Sequence, residues 1–289
     1  DTCEFAFLLS EHVKNERLLS TNVVGFKKKY VVDGMVRPVY SLTTAVTGRS
    51  SRYDPNGQKY PKRGKMPKTY GKQFVAPDGW FMIAPDLSQA ELRVAASMAN
   101  EKTMIQIYRD GGDIHRTTAA VVMGIADEQF ERLVKAVQKD GRQKAKAVNF
   151  GFLFGMWWRK FIVYAKTQYG VEFTNKEAEQ VRVNFFKKYK GLEPWHNKQK
   201  KFAMENGYVR SYTGRIRHLP MVDSSEEYIQ QEAMRQAINS PVQETASSMG
   251  VMAIGRMDEE IDSEYLLIVG FIHDSIVGYV RKQHLDWGL

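Results

Sequence analysis

The segment LLIVGFIHDSIVGYV, residues 266–280, constrains the fold more than any other stretch of the chain. It predicts two short apolar strands, 266–272 and 275–280, which meet at His273 and Asp274. A charged pair at the tip of an apolar hairpin costs free energy unless a partner compensates it. The hairpin therefore predicts that Asp274 has a partner elsewhere in the chain.

A second strand ends at another aspartate, Asp86. Residues 79–85 (GWFMIAP) predict a strand, and SQAELRVAASMAN, which follows Leu87, predicts a helix. Ser88 as N-cap and Glu91 three residues later form a capping-box pattern. The strand–helix unit and the terminal hairpin can share one sheet, which predicts an α+β fold.

Helical patterns dominate the chain between these two units, from about residue 93 to 205. We expect breaks at four places: Gly111-Gly112, Gly124, Asp140-Gly141 and Gly170. Residues 208–220 predict a hairpin, 226–250 predict a helix that Pro241 kinks or breaks, and 54–79 predict a loop. The central part of the chain is therefore a mostly helical insert.

The composition is that of a soluble globular protein, with 43% hydrophobic and 26% charged residues among 289. No uncharged apolar run reaches the roughly 18–20 residues that a membrane span needs, and residues 1–16 lack the basic start and small-residue cleavage site of a signal peptide. Cys3 is the single cysteine, which favours a reducing compartment and a cytoplasmic location. The chain does not begin with Met, so we expect a fragment.

The formal charge of +9 favours an anionic partner, of which nucleic acid is the commonest, although a generally basic soluble protein fits equally well. The cations cluster at 59–72, 142–146 and 187–201. Phosphate-loop, CxxC and HxxxH patterns are absent from the sequence, so an ordinary nucleotide loop or zinc site is not expected.

Asp86 and Asp274 are candidate metal ligands, although Asp86 alone fits an ordinary surface position. Two neighbouring carboxylates repel each other unless a cation lies between them. With the Leu87 carbonyl they offer hard oxygen ligands, which suit Mg²⁺ and phosphoryl transfer through two metal ions.

Arg142, Lys146 and Phe150 recur at every fourth position and therefore share one helix face. Two cations and one aromatic ring suit a nucleoside triphosphate, with the cations on the phosphates. The alternative is a solvated basic stripe that ends in a core phenylalanine.

Together these segments resemble motifs A, B and C of the family A DNA polymerases: DLSQAELR (86–93), RQKAKAVNFG (142–151) and FIHDSI (271–276). Further segments match in the same order, from TGRSSRYDPNGQ (47–58) to RQAINSPVQETAS (235–247). The resemblance implies a right-hand fold with an antiparallel-sheet palm, mostly helical fingers and a thumb that is largely missing. It implies four regions: 1–30 as the end of the thumb, 31–95 and 226–289 as palm, the latter truncated, and 96–225 as fingers.

The implied activity is template-directed DNA synthesis in replication or repair, with primer–template DNA and dNTPs as partners. The primer 3′-hydroxyl attacks the α-phosphorus of a dNTP and pyrophosphate leaves. The resemblance implies that Asp86, Leu87 and Asp274 bind two Mg²⁺ ions, for which Mn²⁺ can substitute. It makes Arg142 and Lys146 ligands of the triphosphate, with Lys146 as a candidate proton donor.

The resemblance also implies roles for residues around the nucleotide. Glu91 matches the steric gate against ribose, and Phe150 matches the ring that packs on the incoming nucleotide and disfavours dideoxynucleotides. The other implied dNTP contacts are His115, Gln89 and Phe154. The implied DNA contacts are Arg49, Lys72, Arg235, Asn239, Gln243 and His273.

Three positions depart from the usual family pattern. Ser275 stands where Glu is usual, Phe154 replaces Tyr, and Lys72 replaces Arg. These departures favour a phage or other viral origin and hence a location in the host-cell cytoplasm.

Two other functions compete with that of a DNA polymerase. One is a single-subunit RNA polymerase, which Glu91 and Phe150 disfavour, and the other is a DNA-binding remnant without catalysis. A plain nuclease leaves the triphosphate face unexplained.

Overall fold

The computed structural model describes residues 3–56, 71–272 and 274–287. The predicted DNA contact of His273 and most of the basic cluster at 59–72 lie outside these ranges. The chain forms two compact units, Asp1–Leu87 with Met249–Leu289, and Ser88–Ser248. No helix of the described ranges is long and apolar enough to cross a membrane.

The first unit combines short helices with small antiparallel sheets. Its helices are α1 (Glu4–Arg17), which continues as a π-helical segment (Leu18–Gly25), and α2 (Phe26–Tyr30). Two hairpins follow, β1 (Val31–Val32) with β2 (Met35–Val36), and β3 (Val39–Ser41) with β4 (Ser51–Tyr53). The main sheet has the order β5 (Trp80–Ile83), β9 (Ser275–Arg281), β8 (Leu266–Ile272).

The three-stranded sheet joins the beginning and the end of the chain. Ile83 faces Gly278 across β5 and β9, and Ile272 faces Ser275 at the hairpin tip. Along β9 the buried residues alternate with more exposed ones, as expected of a strand with one face in the core. The predicted strands and the α+β fold are therefore confirmed.

The second unit is mostly helical. Its helices are α3 (Ala90–Met98), α4 (Lys102–Arg109), α5 (Ile114–Met123), α6 (Asp127–Glu131), α7 (Lys135–Leu153), α8 (Trp158–Tyr164), α9 (Asn175–Lys188) and α10 (Leu192–Asn206). The predicted hairpin is present as β6 (Tyr208–Arg210) and β7 (Ile216–His218). The long helix α11 (Glu227–Glu260) begins in this unit.

Aromatic side chains fill the centre of this helical unit. The ring of Phe152 lies 4.5 Å from that of Phe161 and 5.7 Å from that of Phe185. All three side chains are fully buried. Burying an aromatic side chain of this size contributes about 1.5–3 kcal/mol, so this cluster holds α7, α8 and α9 together.

The predicted capping box at Ser88 and Glu91 is wrong. Helix α3 starts at Ala90, and its N-cap is Gln89, which has a left-handed backbone (φ 56°) and makes no side-chain cap. The turn at Gln89 moves Ser88 outside the helix. The Ser88 carbonyl instead accepts a hydrogen bond from Arg93 Nε at 3.0 Å.

Two predicted helix breaks are also wrong. Asp140 and Gly141 lie inside α7, where a Cβ on Gly141 would stand 3.0 Å from the ring of Phe130. The glycine therefore serves close packing rather than a turn. Helix α11 runs through Pro241 without interruption, so the break that the sequence allowed there is absent, and the kink stays a prediction. The breaks at Gly111-Gly112, Gly124 and Gly170 are confirmed.

Candidate active site

The main chains of Asp86 and Asp274 are neighbours in the first unit. Asp86 forms an antiparallel bridge with Ser275, and Leu87 N–H donates to the Asp274 carbonyl at 3.0 Å. Ile276 N–H donates to the Pro85 carbonyl, also at 3.0 Å. These bonds extend the pairing of β5 and β9 beyond the strands, so two aspartates that are distant in sequence are fixed beside each other at the sheet's end.

The donor set at this place fits a hard cation. Both aspartates are exposed, and the Leu87 carbonyl adjoins Asp86. Mg²⁺ binds through one or two carboxylates together with water and substrate phosphates, so it does not need a cage of protein ligands. In the parts of the chain that the structure describes, no cluster of three or more His, Cys, Asp or Glu side chains forms such a cage.

Arg142 and Lys146 lie in the second unit on α7, with Phe150 one turn further along. Arg142 Nε donates to Asp113 Oδ2 at 2.7 Å, and the other oxygen of Asp113 accepts from His115 N–H and so caps α5. Burial raises the pKa of Asp113, but the hydrogen bonds from Arg142 and from His115 N–H outweigh it and hold the pKa below its usual value. Asp113 thus stays ionised and orients the Arg142 guanidinium.

His115 packs beside this helix face. Its ring lies 6.3 Å from that of Phe150, and the side chain is buried. Burial lowers the pKa of His115 to about 4, and the charges of Arg142 and Lys146 act in the same direction against the opposing carboxylate of Asp113. The imidazole is therefore neutral near pH 7. The structure thus brings together four predicted dNTP contacts in one unit.

Gln89 and Glu91 flank the start of α3. Tyr108 O–H donates to Gln89 Oε1 at 3.1 Å, and the Arg93 guanidinium lies over the Tyr108 ring at 4.2 Å. The Tyr108 hydroxyl thus holds Gln89 by a hydrogen bond that the sequence did not predict. Near Glu91, burial raises the pKa of the Tyr164 hydroxyl, and the negative charge of Glu91 adds to that rise.

The last predicted dNTP contact is Phe154, the C-cap residue directly after α7. Its ring lies 6.4 Å from that of Phe150. The two rings continue one aromatic row along the end of the helix, so Phe154 belongs to the same surface as Phe150.

The predicted DNA contacts divide between the units. Arg235, Asn239 and Gln243 lie on α11 at four-residue spacing and are half-buried. Arg235 forms an ion pair with Glu232, which also lies 3.8 Å from Lys160. Arg49 and Lys72, the other two predicted DNA contacts that the structure describes, are exposed residues of the first unit.

Four residues that support the site were missed from the sequence. Asp113, Thr118, Asn149 and Tyr189 form hydrogen bonds that reach Arg142 or His115. Asp113 carried a signal, because an Asp before a helix is a preferred N-cap. Thr118, Asn149 and Tyr189 make contacts between separate helices, which local sequence patterns do not reveal.

Comparison with known proteins places these observations in a family. The family described as DNA polymerase family A matches residues 1–287. DNA polymerase I of Aquifex aeolicus is 32% identical over 263 residues, 90% of this chain and 42% of that protein. DNA polymerase I of Pseudomonas aeruginosa is 34% identical over 255 residues, 88% of this chain and 26% of that protein. The chain thus spans less than half the length of these relatives.

A solved structure shares the fold. The POL domain of Pol1 from M. smegmatis, in complex with DNA primer-template and dNTP, matches with a TM-score of 0.82 and 24% identity. The match covers 95% of this chain and 47% of that one. These relatives are bacterial and give the predicted viral origin no support.

Proposed function

Because the chain belongs to DNA polymerase family A, we propose that it adds dNTPs to the 3′ end of a primer on a DNA template and releases pyrophosphate. The observation that carries this proposal is the main-chain pairing of Asp86 and Asp274, two exposed carboxylates fixed at one end of a sheet. The cationic face of α7 supports it, because a triphosphate needs such a face. Replication and repair are both compatible roles.

In the proposed reaction, the carboxylates of Asp86 and Asp274 and the Leu87 carbonyl hold Mg²⁺. When bound, Mg²⁺ lowers the pKa of the primer 3′-hydroxyl and neutralises charge on the triphosphate. Arg142, oriented by Asp113, binds phosphate oxygens, and Lys146 gives a proton to the departing pyrophosphate. Such proton transfer contributes about 10²–10⁴-fold in rate.

Primer extension with dNTPs and Mg²⁺ tests the proposal. We expect Asp86→Asn and Asp274→Asn each to lower the extension rate by at least about 100-fold, because each removes a charged ligand. Asp78→Asn is the matched control, since Asp78 is an exposed residue of the same unit. The proposal fails if both variants extend primers as fast as the parent does.

A second test asks whether Lys146 acts as a proton donor or only contributes positive charge. Lys146→Met should lower kcat by about 100-fold and remove one limb of the pH–rate profile, because the proton donor is lost. Lys144→Met is the control, since Lys144 pairs with Asp140 at 3.1 Å. Equal effects of the two substitutions would show that only general positive charge matters.

Two selectivity variants test the proposed gate and the proposed ring contact. Glu91→Ala should increase incorporation of ribonucleotides, because the 2′-hydroxyl gains room. Phe150→Tyr should increase the use of dideoxynucleotides. Unchanged selectivity in either variant removes that assignment but leaves the polymerase proposal intact.

A non-catalytic DNA-binding protein is the second candidate, because the formal charge of +9 accounts for DNA binding without chemistry. Retained binding of primer–template DNA, with no extension by the parent chain, would favour this reading over the first.

A further inference from the structure

A row of buried polar side chains runs from Tyr189, the C-cap residue of α9, through α5 and α7 to His115. Tyr189 OH lies 2.8 Å from Thr118 Oγ1, and Thr118 Oγ1 donates to Asn149 Oδ1 at 2.9 Å. Asn149 Nδ2 lies 2.8 Å from His115 Nδ1. Tyr189, Thr118 and Asn149 are fully buried, so each bond in this row replaces a bond to water that folding removed.

The donor-to-acceptor direction of the hydrogen bonds in this row follows from Tyr189, the end that lies farthest from His115. In the described part of the chain, Thr118 is the one hydrogen-bond partner of the Tyr189 hydroxyl. A buried hydroxyl hydrogen needs an acceptor, so Tyr189 donates to Thr118. Thr118 must then direct its own hydrogen to Asn149 Oδ1, which turns the amide nitrogen of Asn149 toward His115.

The amide nitrogen carries only hydrogens and can only donate. His115 Nδ1 must therefore accept, and a neutral imidazole that accepts at Nδ1 carries its proton on Nε2. We propose that Asn149, held by Thr118 and Tyr189, is a positioning residue that fixes the tautomer of His115 with its proton on Nε2. Resting on the proposed function, this tautomer gives the triphosphate an N–H donor rather than a lone pair.

The groups around His115 agree with a neutral ring. Burial lowers its pKa to about 4, and Arg142 and Lys146 oppose its protonation while Asp113 favours it. A neutral ring has two tautomers, and only the Nε2–H form donates from Nε2. Burial, assisted by the two cations, selects the neutral state, and Asn149 selects between its tautomers.

The competing explanation is that the row only stabilises the packing of three helices. Both explanations predict that disrupting the row lowers stability. They differ in the protonation of the two imidazole nitrogens, which packing alone does not set. The decisive measurement is therefore spectroscopic.

Two-bond ¹H–¹⁵N correlation spectra of the free protein, without DNA, nucleotide or metal, report which nitrogen of each neutral histidine is protonated. Comparison with the His115→Gln variant assigns the His115 signals. We expect the Nε2–H pattern in the parent chain. In Asn149→Asp, whose carboxylate only accepts, we expect the proton on Nδ1 of His115. A His115 that keeps the Nε2–H pattern in that variant overturns the proposal.

His196 is the internal control for these spectra. Its Nε2 lies 2.7 Å from the Leu153 carbonyl, so that its proton is on Nε2 whatever stands at position 149. If Asn149→Asp does not fold, Thr118→Val replaces it as the test. Without the hydroxyl the amide loses its preferred direction, so both tautomers of His115 should be populated. A single Nε2–H signal in Thr118→Val also refutes the proposal.

Kinetics test the consequence. Asn149→Asp should raise the KM for dNTPs by about 10- to 100-fold, the effect of losing one hydrogen bond to a charged group. Asn206→Asp makes the same chemical change at an exposed position and should leave KM unchanged. If the parent chain extends no primers, the proposed function fails, while the spectra still decide the tautomer.

The new charge of Asn149→Asp could repel the triphosphate directly. In a His115→Ala background, the Asn149→Asp substitution should therefore lose most of its effect on KM, because its route through the imidazole is gone. An undiminished effect in that background assigns it to charge repulsion and refutes the role of Asn149 as a positioning residue.

Discussion

Gly250 in α11 lies against the ring of Phe271 in β8, close in sequence to Asp274. A Cβ at position 250 would stand 2.9 Å from Cε2 of Phe271 and still closer to Cζ. Phe271 is buried, so its ring has little room to move away. We therefore predict that Gly250→Ala destabilises the sheet that carries Asp274.

The magnitude follows from two opposing contributions. Overpacking a core typically costs 1–3 kcal/mol, roughly, whereas alanine is about 1 kcal/mol better than glycine inside a helix. The matched control is Gly255→Ala in the same helix, where a Cβ would meet no atom within 4 Å. The helix contribution is common to both variants, so their difference in unfolding free energy isolates the overpacking, about 1–3 kcal/mol.

Urea unfolding followed by circular dichroism measures this difference. We expect Gly255→Ala to be more stable than the parent chain and Gly250→Ala to be less stable than Gly255→Ala by the amount above. In the Gly250→Ala background, Phe271→Leu should cost less than it does in the parent, because it removes the ring that clashes. Equal stability of the two alanine variants would refute this account of the close approach.

The remaining predictions concern two buried polar side chains of the second unit. Burial lowers the pKa of His196 to about 4, whereas the histidine of the unfolded chain has a pKa near 6.5. Below about pH 6.5 the unfolded chain therefore takes up a proton that the folded chain does not. The free energy of unfolding then falls by up to about 1.4 kcal/mol per pH unit toward pH 4. His196→Gln should accordingly show a smaller shift of its urea midpoint between pH 7.5 and 5, and an unchanged shift would contradict this. Glu101 is buried and accepts hydrogen bonds from the N–H groups of Thr103 and Gly191. Glu101→Gln turns one acceptor into a donor and should cost about 1–3 kcal/mol in thermal or urea unfolding, whereas Glu128→Gln at an exposed position should cost almost nothing.

The sequence predicted the strands of the main sheet well because their signals are local. Residues 266–280 contain apolar strands on both sides of a polar tip, and this pattern does not depend on the rest of the chain. The pairing of that hairpin with the strand before Asp86 was expected from their flanking units rather than from any local signal. It is the pairing that fixes the two aspartates beside each other.

The errors arose where distant residues decide the local structure. The capping-box pattern at Ser88 and Glu91 is a valid local signal, yet the chain turns through a left-handed Gln89 instead. Gly141 looked like a helix break, although it is there because the ring of Phe130 lies against it. The contact of Asn149 with His115 joins two helices, and neither segment alone predicts it.

Ser275 shows how a departure from the family pattern can be absorbed by the backbone. Where the family usually has Glu, the Ser275 hydroxyl donates to the Ala84 carbonyl at 3.2 Å. This bond supplements the two main-chain bonds that tie the hairpin to the segment around Asp86. An ionised Glu cannot donate such a bond, so the serine exchanges an outer negative charge for a third link between the two aspartate-bearing segments. Under the proposed function, the serine would therefore weaken the attraction for Mg²⁺ while its hydrogen bond helps to fix the two aspartate-bearing segments beside each other.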